Sequence, residues 1–375
     1  MKIGIDGRLW GVGHTGIGRY TEELVRNLQK IDNKNEYVVF CRRGDADAIP
    51  KKSGWSVVIA DIPHYTLKEQ LVLPGIFKKQ NLDLLHTPHF NVPLFYNRPF
   101  IVTIHDILWH QLQGAGVTTL PAPLYLIKHV GYKAVVKNAV SRARKIIVPS
   151  KVVKSDLVKQ FGVSSDKVVV TYEGASTVQL TDARAPINWN KYKIKEPYLL
   201  YVGSLYPHKN VEMLVRAIKH FNDLNHQSKL KLVIVCGRSV FWERFKKFVE
   251  KEGAQDFVKL VGRVSDEELA GLYKNAEAFV FPTLSEGFGL PGLEAMATGT
   301  PVICSDIPVL HEVYADAALY FDPKNEESIA EKIGEVLHFT ASKRRSVIEK
   351  GRERAKMFSW RKMAEKTLAI YNSVK

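Results

Sequence analysis

The stretch AFVFPTLSEGFGLPGLEAMATGTPVICS, residues 278–305, contains the pattern that determines the fold class. It begins with a short apolar run, AFVFP (278–282), of the kind that forms a buried strand. A glycine-rich turn follows, a helix is predicted to begin near Gly289 to Pro291, and the run TPVICS (300–305) is a second strand candidate. Pro291 suits a first helical turn because its missing N–H would have no partner inside the helix. This order predicts a β–α–β unit of a parallel sheet.

The same alternation of short β-branched runs and helical periodicity extends over the whole chain. Strands are predicted at 2–6, 37–41, 55–59, 82–86, 100–104, 145–149 and 167–171, and again at 198–203, 231–237, 257–262, 278–282 and 300–305. Between the two sets, residues 177–196 are polar, proline-bearing and aperiodic, and we interpret them as a linker. We therefore expect two doubly wound α/β domains, residues 1–176 and 197–357.

Composition excludes several classes of protein. The chain has 375 residues, of which 45% are hydrophobic and 25% charged, so it is neither disordered nor fibrous. Three scattered cysteines are too few for a disulfide framework and favour a reducing compartment. The start MKIGIDGRLW does not resemble a signal peptide, and no apolar run reaches the ~18 residues of a membrane span. We expect a cytoplasmic protein, at most peripheral on the inner face of a membrane.

The glycine-rich turn before the predicted helix is a candidate anion site. Its backbone amides, reinforced by the helix dipole, would form a cradle for a phosphate; they belong to Gly287, Phe288, Gly289 and Leu290. Glu286 and Glu294 flank the cradle, and two carboxylates there suggest a ligand that also carries hydroxyl groups, such as a sugar and a ribose. The alternative is that Glu286 caps the helix and Glu294 is a solvated surface acid.

Further motifs extend this pattern over nearly the whole chain. They are HTGIGRYTEEL (14–24), TIHD (103–106), VGSLYPHKN (202–210) and GRVSDEEL (262–269). Together with Glu286, Glu294 and GFGLPGL between them, they resemble the retaining family-four glycosyltransferases, which have the GT-B fold. The resemblance implies two Rossmann-like domains that face each other across a cleft. It also implies that the donor binds mainly to the carboxy-terminal domain, and that a terminal helix in residues 358–375 returns to the amino-terminal domain.

The resemblance implies transfer of a hexose from a nucleotide-diphosphate sugar to an acceptor hydroxyl, with retention of configuration and without a metal or other cofactor. Lys209 would bind the diphosphate, Glu286 the hydroxyls of the transferred sugar, and Glu294 the ribose. His105 would lie near the reacting sugar without acting as the base, because a donor phosphate oxygen takes the acceptor proton. Catalytic candidates are therefore His105, Lys209 and Glu286.

The remaining donor-binding candidates are implied in the same way. Arg238 would be a second cation on the diphosphate, although the Arg that many members carry just before the lysine is absent here. Arg263 and Val264 would line the base with backbone groups, and Gly16 and Gly18 would let their loop approach the diphosphate. Members most similar in GIDGRLW, HTGIGRYT and PHKN are often mannosyltransferases that build surface polysaccharides on lipid carriers. We therefore expect GDP-mannose as donor and a glycan or lipid-linked acceptor.

Two other functions stay open at this point. Gly11, Gly13 and Gly16 have GxGxxG spacing, and Arg42 and Arg43 follow the second strand, as in an NADP-dependent oxidoreductase. Against this, Gly11 lies five residues after Asp6, too far for the tight turn of that motif. A non-catalytic nucleotide-sugar or membrane-surface binding protein is the second alternative. The DxD pattern Asp45–Asp47 is interpreted as a solvated turn and not as a metal site.

The net charge of +15 is unevenly distributed. Residues through Leu180 carry +10, and the segment 120–159 carries nine Lys/Arg against one acid, Asp156. Apolar residues are interleaved with these charges, so part of the segment has the pattern of a basic amphipathic helix. Such a helix either lies on an anionic membrane surface or packs on the core with a solvated basic face. No nucleic-acid motif accompanies the charge, so nucleic acid is not an expected partner.

Overall fold

The structure is a computed structural model that describes residues 1–108, 118, 121–175, 192, 194, 197–225, 230–237 and 239–374. Within these residues the chain divides into two compact units. The first contains Met1–Gln113, Leu120–Gly174 and Ser359–Lys375, and the second contains Gly114–Thr119 and Ala175–Phe358. Most of the predicted linker 177–196 lies outside the described residues.

The elements of the first half of the chain are β1 (Lys2–Asp6), α1 (Thr15–Ile31), β2 (Glu36–Cys41), β3 (Trp55–Ile59), α2 (Leu67–Lys79), β4 (Leu84–Thr87), β5 (Phe100–Thr103), α3 (Ala122–Arg142), β6 (Ile146–Val148), α4 (Lys151–Phe161) and β7 (Val168–Val170). The second half continues with β8 (Tyr198–Val202), α5 (Val211–Leu224), β9 (Lys231–Val235), α6 (Trp242–Lys251), β10 (Val258–Gly262), α7 (Asp266–Asn275), β11 (Ala278–Phe281), α8 (Leu290–Thr298), β12 (Val302–Ser305), α9 (Pro308–Tyr314), β13 (Leu319–Phe321), α10 (Glu326–Leu337), α11 (Ala341–Lys356) and α12 (Trp360–Ser373).

Every predicted strand is present, so the prediction of an α/β fold with two doubly wound sheets is confirmed. One strand, β13, was missed because its three residues, LYF, include no β-branched residue, whereas the equally short β6 (IIV) and β7 (VVV) consist of such residues. The helix expected near Gly289 begins at Leu290, and Gly289 is its N-cap.

The first unit contains a seven-stranded sheet of order β3-β2-β1-β4-β5-β6-β7. Its strand pairs are parallel, with Ile5 of β1 paired to Val39 on one side and to His86 on the other. Helices α2, α3 and α4 contribute to one core cluster on this sheet, for example through Phe77, Val136 and Leu157. The strands are near-continuous apolar runs because helices cover the faces of a parallel sheet.

The carboxy-terminal helix α12 belongs to the first unit and packs against α1. The hydroxyl of Tyr371 lies 2.7 Å from Nδ1 of His86, and both residues are fully buried. At the start of α12 the backbone approaches Gly174 so closely that a Cβ there would lie 2.1 Å from the backbone nitrogen of Trp360. The contact therefore requires glycine at position 174.

The second unit contains a six-stranded sheet of order β10-β9-β8-β11-β12-β13. The pairs are parallel, and β8 lies between β9 and β11. After β8, the strands β9 and β10 are therefore added on one side of β8, and β11 is then added on its other side. Ligands in such sheets bind at the carboxyl ends of the strands where this reversal occurs.

Candidate functional site

The reversal between β8 and β11 brings two predicted site residues together. Lys209 follows β8 in a 3₁₀ turn, Pro207–Lys209, and Glu286 lies in the loop after β11. They are 77 residues apart in sequence, yet Nζ of Lys209 donates a hydrogen bond to Oε2 of Glu286. The two side chains are 15% and 19% exposed, so the pair is largely buried but still accessible to a ligand.

The loop after β8 is held in place by hydrogen bonds to the loops after β11 and β13. Asn210, with φ of 58°, ends the 3₁₀ turn in the left-handed region, which asparagine tolerates better than most residues. Its side-chain amide donates to the carbonyls of Pro282 (3.1 Å) and Pro323 (2.8 Å). The backbone N–H of Leu284 donates to the carbonyl of His208 at 2.8 Å. These bonds fix the position from which Lys209 extends.

The N-terminus of α8 has the backbone geometry expected of the glycine-rich turn. Gly289 adopts φ of 98° and ψ of 42°, and a Cβ on it would lie 2.5 Å from Oη of Tyr314. That hydroxyl in turn donates to the Gly289 carbonyl at 2.5 Å. Because Gly289 is the N-cap and Glu286 pairs with Lys209, the alternative in which Glu286 caps this helix is wrong.

Glu294 is not the solvated surface acid of that alternative either. It lies within α8, is 7% exposed, and accepts a hydrogen bond from Tyr273 Oη at 3.3 Å. The ring of Phe288 is also buried and packs edge-to-face on Phe358, 5.5 Å between centroids. Phe288 can therefore offer a ligand only its backbone. Leu290, the first residue of α8, is buried as well.

The other donor-binding candidates of this unit follow neighbouring strands. Gly262 ends β10 with φ of 82°, and the exposed Arg263 and half-buried Val264 lead to α7. That helix starts with a capping box, in which Ser265 and Glu268 bond each other's backbone N–H groups. Arg238, after β9, lies outside the described residues.

In the first unit His105 is held by two hydrogen-bond acceptors. Its ring nitrogens lie 2.9 Å from Oε1 of Glu173 and 3.0 Å from the carbonyl oxygen of Pro88. Burial lowers the pKa of His105, but the hydrogen bond and charge of Glu173, with help from Pro88 and Asp106, raise it above its usual value overall. The imidazolium, which donates from both nitrogens, matches these partners. It has no lone pair with which to act as a base.

Sequence reasoning missed Glu173, whose only signal was its place just after β7, at the same sheet edge as His105. It also missed a buried cluster around Arg8, which pairs with Asp6 at 2.7 Å and with Glu69 at 2.8 Å. Glu69 is distant in sequence and lies on α2, so no local pattern links it to Arg8.

Gly16 and Gly18, which were expected in the loop after β1, lie in α1 and differ in their surroundings. A Cβ on Gly16, in the first turn of α1, would meet no atom within 4 Å among the described residues. A Cβ on Gly18 would lie 1.9 Å from the carbonyl oxygen of Gly11, so packing alone requires glycine at position 18.

The arginines of the NADP alternative contact protein groups: Arg43 pairs with Asp61, and Arg42 lies 3.3 Å from Nδ1 of His64.

The described ranges contain no group of three or more His, Cys, Asp or Glu side chains that could hold a metal ion. Asp45 and Asp47 of the DxD pattern lie in a 3₁₀ helix, Arg43–Ala48, that has no buried residue.

Among all the residues that the structure describes, no helix combines the length and apolar character that a membrane crossing requires.

Comparison with known proteins identifies the family. The family "Glycosyltransferase Family 4" matches residues 14–179, and "Glycosyl transferases group 1" matches residues 186–354. The O-antigen chain mannosyltransferase RfbU of Salmonella typhimurium is 31% identical over 336 residues, 85% of this chain and 86% of that protein. O-antigen chain mannosyltransferase B of Escherichia coli is 28% identical over 380 residues, 95% of this chain and 96% of its own length.

Among solved structures, sucrose-phosphate synthase from Thermosynechococcus elongatus superposes with a TM-score of 0.77 at 22% identity, covering 100% of this chain and 99% of that one. This likeness supports the GT-B fold class that the sequence predicted, and none of these matches supports an oxidoreductase. The chain belongs to the family-four, group-1 glycosyltransferases, and it is a glycosyltransferase of the GT-B fold.

Proposed function

We propose that this glycosyltransferase moves mannose from GDP-mannose, with retention of configuration and without a metal ion, to a hydroxyl of a glycan or lipid-linked acceptor in polysaccharide biosynthesis. The observation that carries the proposal is the pairing of Lys209 with Glu286 beside the N-terminus of α8, at the strand reversal of the second unit. The choice of mannose rests on the two O-antigen mannosyltransferases, which span nearly the same length as this chain.

In the proposed donor complex, positive charge accumulates around the diphosphate. Lys209 binds it directly, Arg238 is the second cation, and the backbone at Phe288, Gly289 and Leu290 adds the dipole of α8. Fixed donors and cations of this kind stabilise the charge that develops on the leaving diphosphate. They provide the positive charge that a metal ion provides in other phosphate-releasing enzymes, which is why we propose a metal-independent reaction.

The two carboxylates bind hydroxyl groups of the donor. Glu286, next to Lys209, accepts from the hydroxyls of the transferred mannose, and Glu294 accepts from the ribose. Gly262, Arg263 and Val264 offer backbone groups to the base, while Gly16 and Gly18, at the start of α1, let the backbone approach the diphosphate. A glycine-rich turn with adjacent carboxylates suits a ligand that has both phosphate and hydroxyl groups.

His105 contributes a fixed positive charge and shapes the pocket near the reacting sugar. Its two N–H groups are engaged by Glu173 and Pro88, which supports the assignment of the acceptor proton to a donor phosphate oxygen and not to His105. The His105→Ala variant should lose at least about tenfold in turnover while it keeps its fold, because the geometry of the reacting groups is then less well fixed. Wild-type turnover in a folded variant would contradict this role.

We also propose that the enzyme attaches peripherally to an anionic membrane surface through segment 120–159. The second half of α3 packs on the core through Val136, Ala139 and Val140, as expected of a helix that covers the sheet. The first half does not: Leu126, Ile127 and Val130 are 60%, 71% and 67% exposed. Lys133 and Lys137 are exposed on the same side of the helix. Apolar and basic groups on one face favour an anionic lipid interface.

Charge reversal of Lys133, Lys137 and Arg144 should therefore abolish salt-sensitive binding to anionic liposomes, since each near-surface cation contributes about 1 kcal/mol. A matched control reverses Lys247, Lys251 and Lys274, which are exposed in the second unit. Equal liposome binding by wild type and both triple variants would mean that the basic residues only form the solvated face of a helix.

The function itself is tested by a thermal-shift panel of GDP, UDP, ADP and NADPH, followed by assays with the sugar nucleotides. A ligand at about 100-fold over its Kd adds about 2.7 kcal/mol of stability. We expect GDP to give the largest shift and GDP-mannose to be hydrolysed slowly without acceptor, with activity unchanged by EDTA. Binding without turnover would favour the non-catalytic alternative, and an inverted product anomer would refute retention.

A further inference from the structure

We propose that Glu173 is a positioning residue for the transfer reaction, which holds the His105 ring in one charge state and one orientation beside the reacting sugar. The assignment rests on the proposed function, because that function puts His105 near the transferred mannose. Glu173 is the third residue after β7, and its side chain is 6% exposed. The His105 side chain is 12% exposed, so the pair is shielded from water without being completely enclosed.

The two hydrogen bonds of His105 define the charge state that Glu173 imposes. Nδ1 lies 2.9 Å from Oε1 of Glu173, and Nε2 lies 3.0 Å from the carbonyl oxygen of Pro88. A carboxylate and a carbonyl both accept hydrogen bonds, whereas a neutral imidazole has a lone pair on one nitrogen that would face one of these oxygens. The imidazolium donates to both oxygens. The geometry therefore matches the charged ring.

The surrounding titratable groups leave the proton on His105. Others that pack around or interact with it are Asp106, His86, His89 and Tyr20. Burial lowers the pKa of His105, but Glu173, with smaller contributions from the Pro88 carbonyl and the aspartate, raises it overall. Burial, with repulsion from His105, lowers the pKa of His86 to about 3 and that of His89 well below its usual value. Burial raises the pKa of the tyrosine, so the carboxylates face one cation and neutral rings.

The ring of His105 is also held by packing on Tyr20 of α1. The two ring centroids are 4.8 Å apart at an interplanar angle of 83°, which is an edge-to-face contact. Tyr20 is 1% exposed, and its hydroxyl lies 3.1 Å from Oγ1 of Thr103, the last residue of β5. Tyr20 also packs on Trp360 of α12, 6.4 Å between centroids. Tyr20 is thus itself held on several sides and restricts the orientation of the imidazole.

The start of α12 fixes the backbone next to Glu173. Gly174 is the last residue of the first unit before the chain enters the second, and a segment at the end of a compact unit is often loosely held. Here the backbone of Gly174 packs so closely on Ser359 and Trp360 that no Cβ fits between them. The carboxylate therefore reaches His105 from a fixed position.

Stability alone does not account for this buried pair. Burial of two charges costs free energy that their attraction repays only in part, and apolar side chains of similar volume are often at least as stable. In the proposed donor complex, by contrast, an imidazolium that is already oriented needs no reorganisation when negative charge develops on the leaving diphosphate. The pair is therefore expected where the reaction uses the position and charge of His105.

The test combines nitrogen NMR of the His105 ring with the pH dependence of GDP-mannose hydrolysis without acceptor, both in the full chain. The His105→Ala variant assigns the ring signals. In wild type we expect both ring nitrogens to carry a proton at neutral pH. We also expect kcat to fall, as the pH rises, over the range in which the ring loses its proton.

Glu173→Gln keeps the size of the side chain and removes its charge. We expect kcat to fall about 10- to 100-fold, while KM for GDP-mannose stays within about twofold because Glu173 does not contact the donor. The alkaline limb of the pH profile and the titration of His105 should move together to lower pH, by about one unit or more.

Two further variants complete the series. Glu173→Asp keeps the charge but draws the carboxylate back by one methylene, so its kcat and its alkaline limb should lie between those of wild type and Glu173→Gln. It also covers the case in which the glutamine variant fails to fold. Glu36→Gln, at an exposed position of the first unit, is the matched control and should leave kcat and the pH profile unchanged.

A neutral His105 in the wild-type protein at neutral pH would overturn the assignment. So would wild-type kcat in a folded Glu173 variant, or an alkaline limb that stays in place while the titration of His105 moves. These outcomes are separate from failure of the proposed function, which would appear as absence of GDP binding and of GDP-mannose turnover by wild type. The NMR titration of His105 needs no donor and can be measured in either case.

Discussion

Substitution of Glu286 by glutamine should affect the nucleotide and the nucleotide sugar in opposite directions. In the free protein Lys209 donates to Glu286, so the lysine is partly occupied when the diphosphate arrives. The carboxylate is also a negative charge beside a negative ligand. Glu286→Gln removes the negative charge and weakens the hydrogen bond to Lys209, and so it should strengthen binding of GDP, which has no sugar. The same change replaces one of the two carboxylate oxygens that accept from the mannose hydroxyls with an amide NH₂ donor, so transfer from GDP-mannose should slow.

The size of each effect follows from the exposure of the pair. A hydrogen bond to a charged group contributes roughly 1.5–3 kcal/mol. At 15% and 19% exposure the Lys209–Glu286 pair is partly screened by solvent, which reduces its contribution to about 1 kcal/mol. That corresponds to GDP binding about fivefold tighter. The bound donor shields the hydrogen bonds between Glu286 and the mannose hydroxyls from water, so their removal should lower kcat/KM by about 10- to 100-fold.

Isothermal titration calorimetry measures GDP affinity, and steady-state kinetics with GDP-mannose measure kcat/KM. Asp316→Asn is the matched control, because it neutralises the carboxylate of an exposed pair with Lys350 in the same unit. The control should leave both quantities unchanged. Lys209→Met should weaken GDP and GDP-mannose alike.

Weaker GDP binding by Glu286→Gln than by wild type would refute this account of the pair. That result would mean that Glu286 holds Lys209 in the orientation that binds the diphosphate. An unchanged kcat/KM for GDP-mannose would refute it equally, because Glu286 would then make no contact with the sugar in the transition state.

Further predictions concern the first unit. Gly16→Ala should keep or slightly raise stability, since a methyl group there meets open space and alanine favours a helix by up to about 1 kcal/mol. Gly18→Ala should destabilise the protein, because its Cβ clashes with the carbonyl of Gly11. Thermal melts of both variants test this, and equal melting temperatures would contradict it. Glu173 raises the pKa of His105 in the folded protein. The contribution of this pair to the free energy of unfolding is therefore present at pH below about 6.5, and it is lost as the pH rises through the pKa of His105 in the folded state. The stability difference between wild type and Glu173→Gln should therefore shrink from pH 5.5 to pH 8.5 in urea titrations, and parallel curves would disprove the link. Tyr371→Phe should cost about 1–3 kcal/mol, because Nδ1 of His86 loses its buried partner, and hydrogen exchange should rise in α12. Unchanged exchange would show that this bond does not hold the helix.

The fold class and most of the elements follow from local sequence patterns. Each strand is an apolar run between turn residues, and this pattern depends only on neighbouring residues. The same is true of the α8 N-terminus, where Gly289 and Pro291 indicate the start of the helix within one residue. The strand β13 was missed because LYF contains no β-branched residue.

Contacts between side chains that are distant in sequence depend on the three-dimensional arrangement of the strands. Lys209 and Glu286 are 77 residues apart and His105 and Glu173 are 68 apart, and each pair meets because of the order of strands in a sheet. That order depends on how crossover connections pack, for which a single sequence contains no local signal. The burial of Glu294 and the ion pairs of Arg8 could not be predicted from the sequence for the same reason. A charged residue has the same local signature on a surface as in a core, and only its tertiary neighbours compensate the cost of its burial.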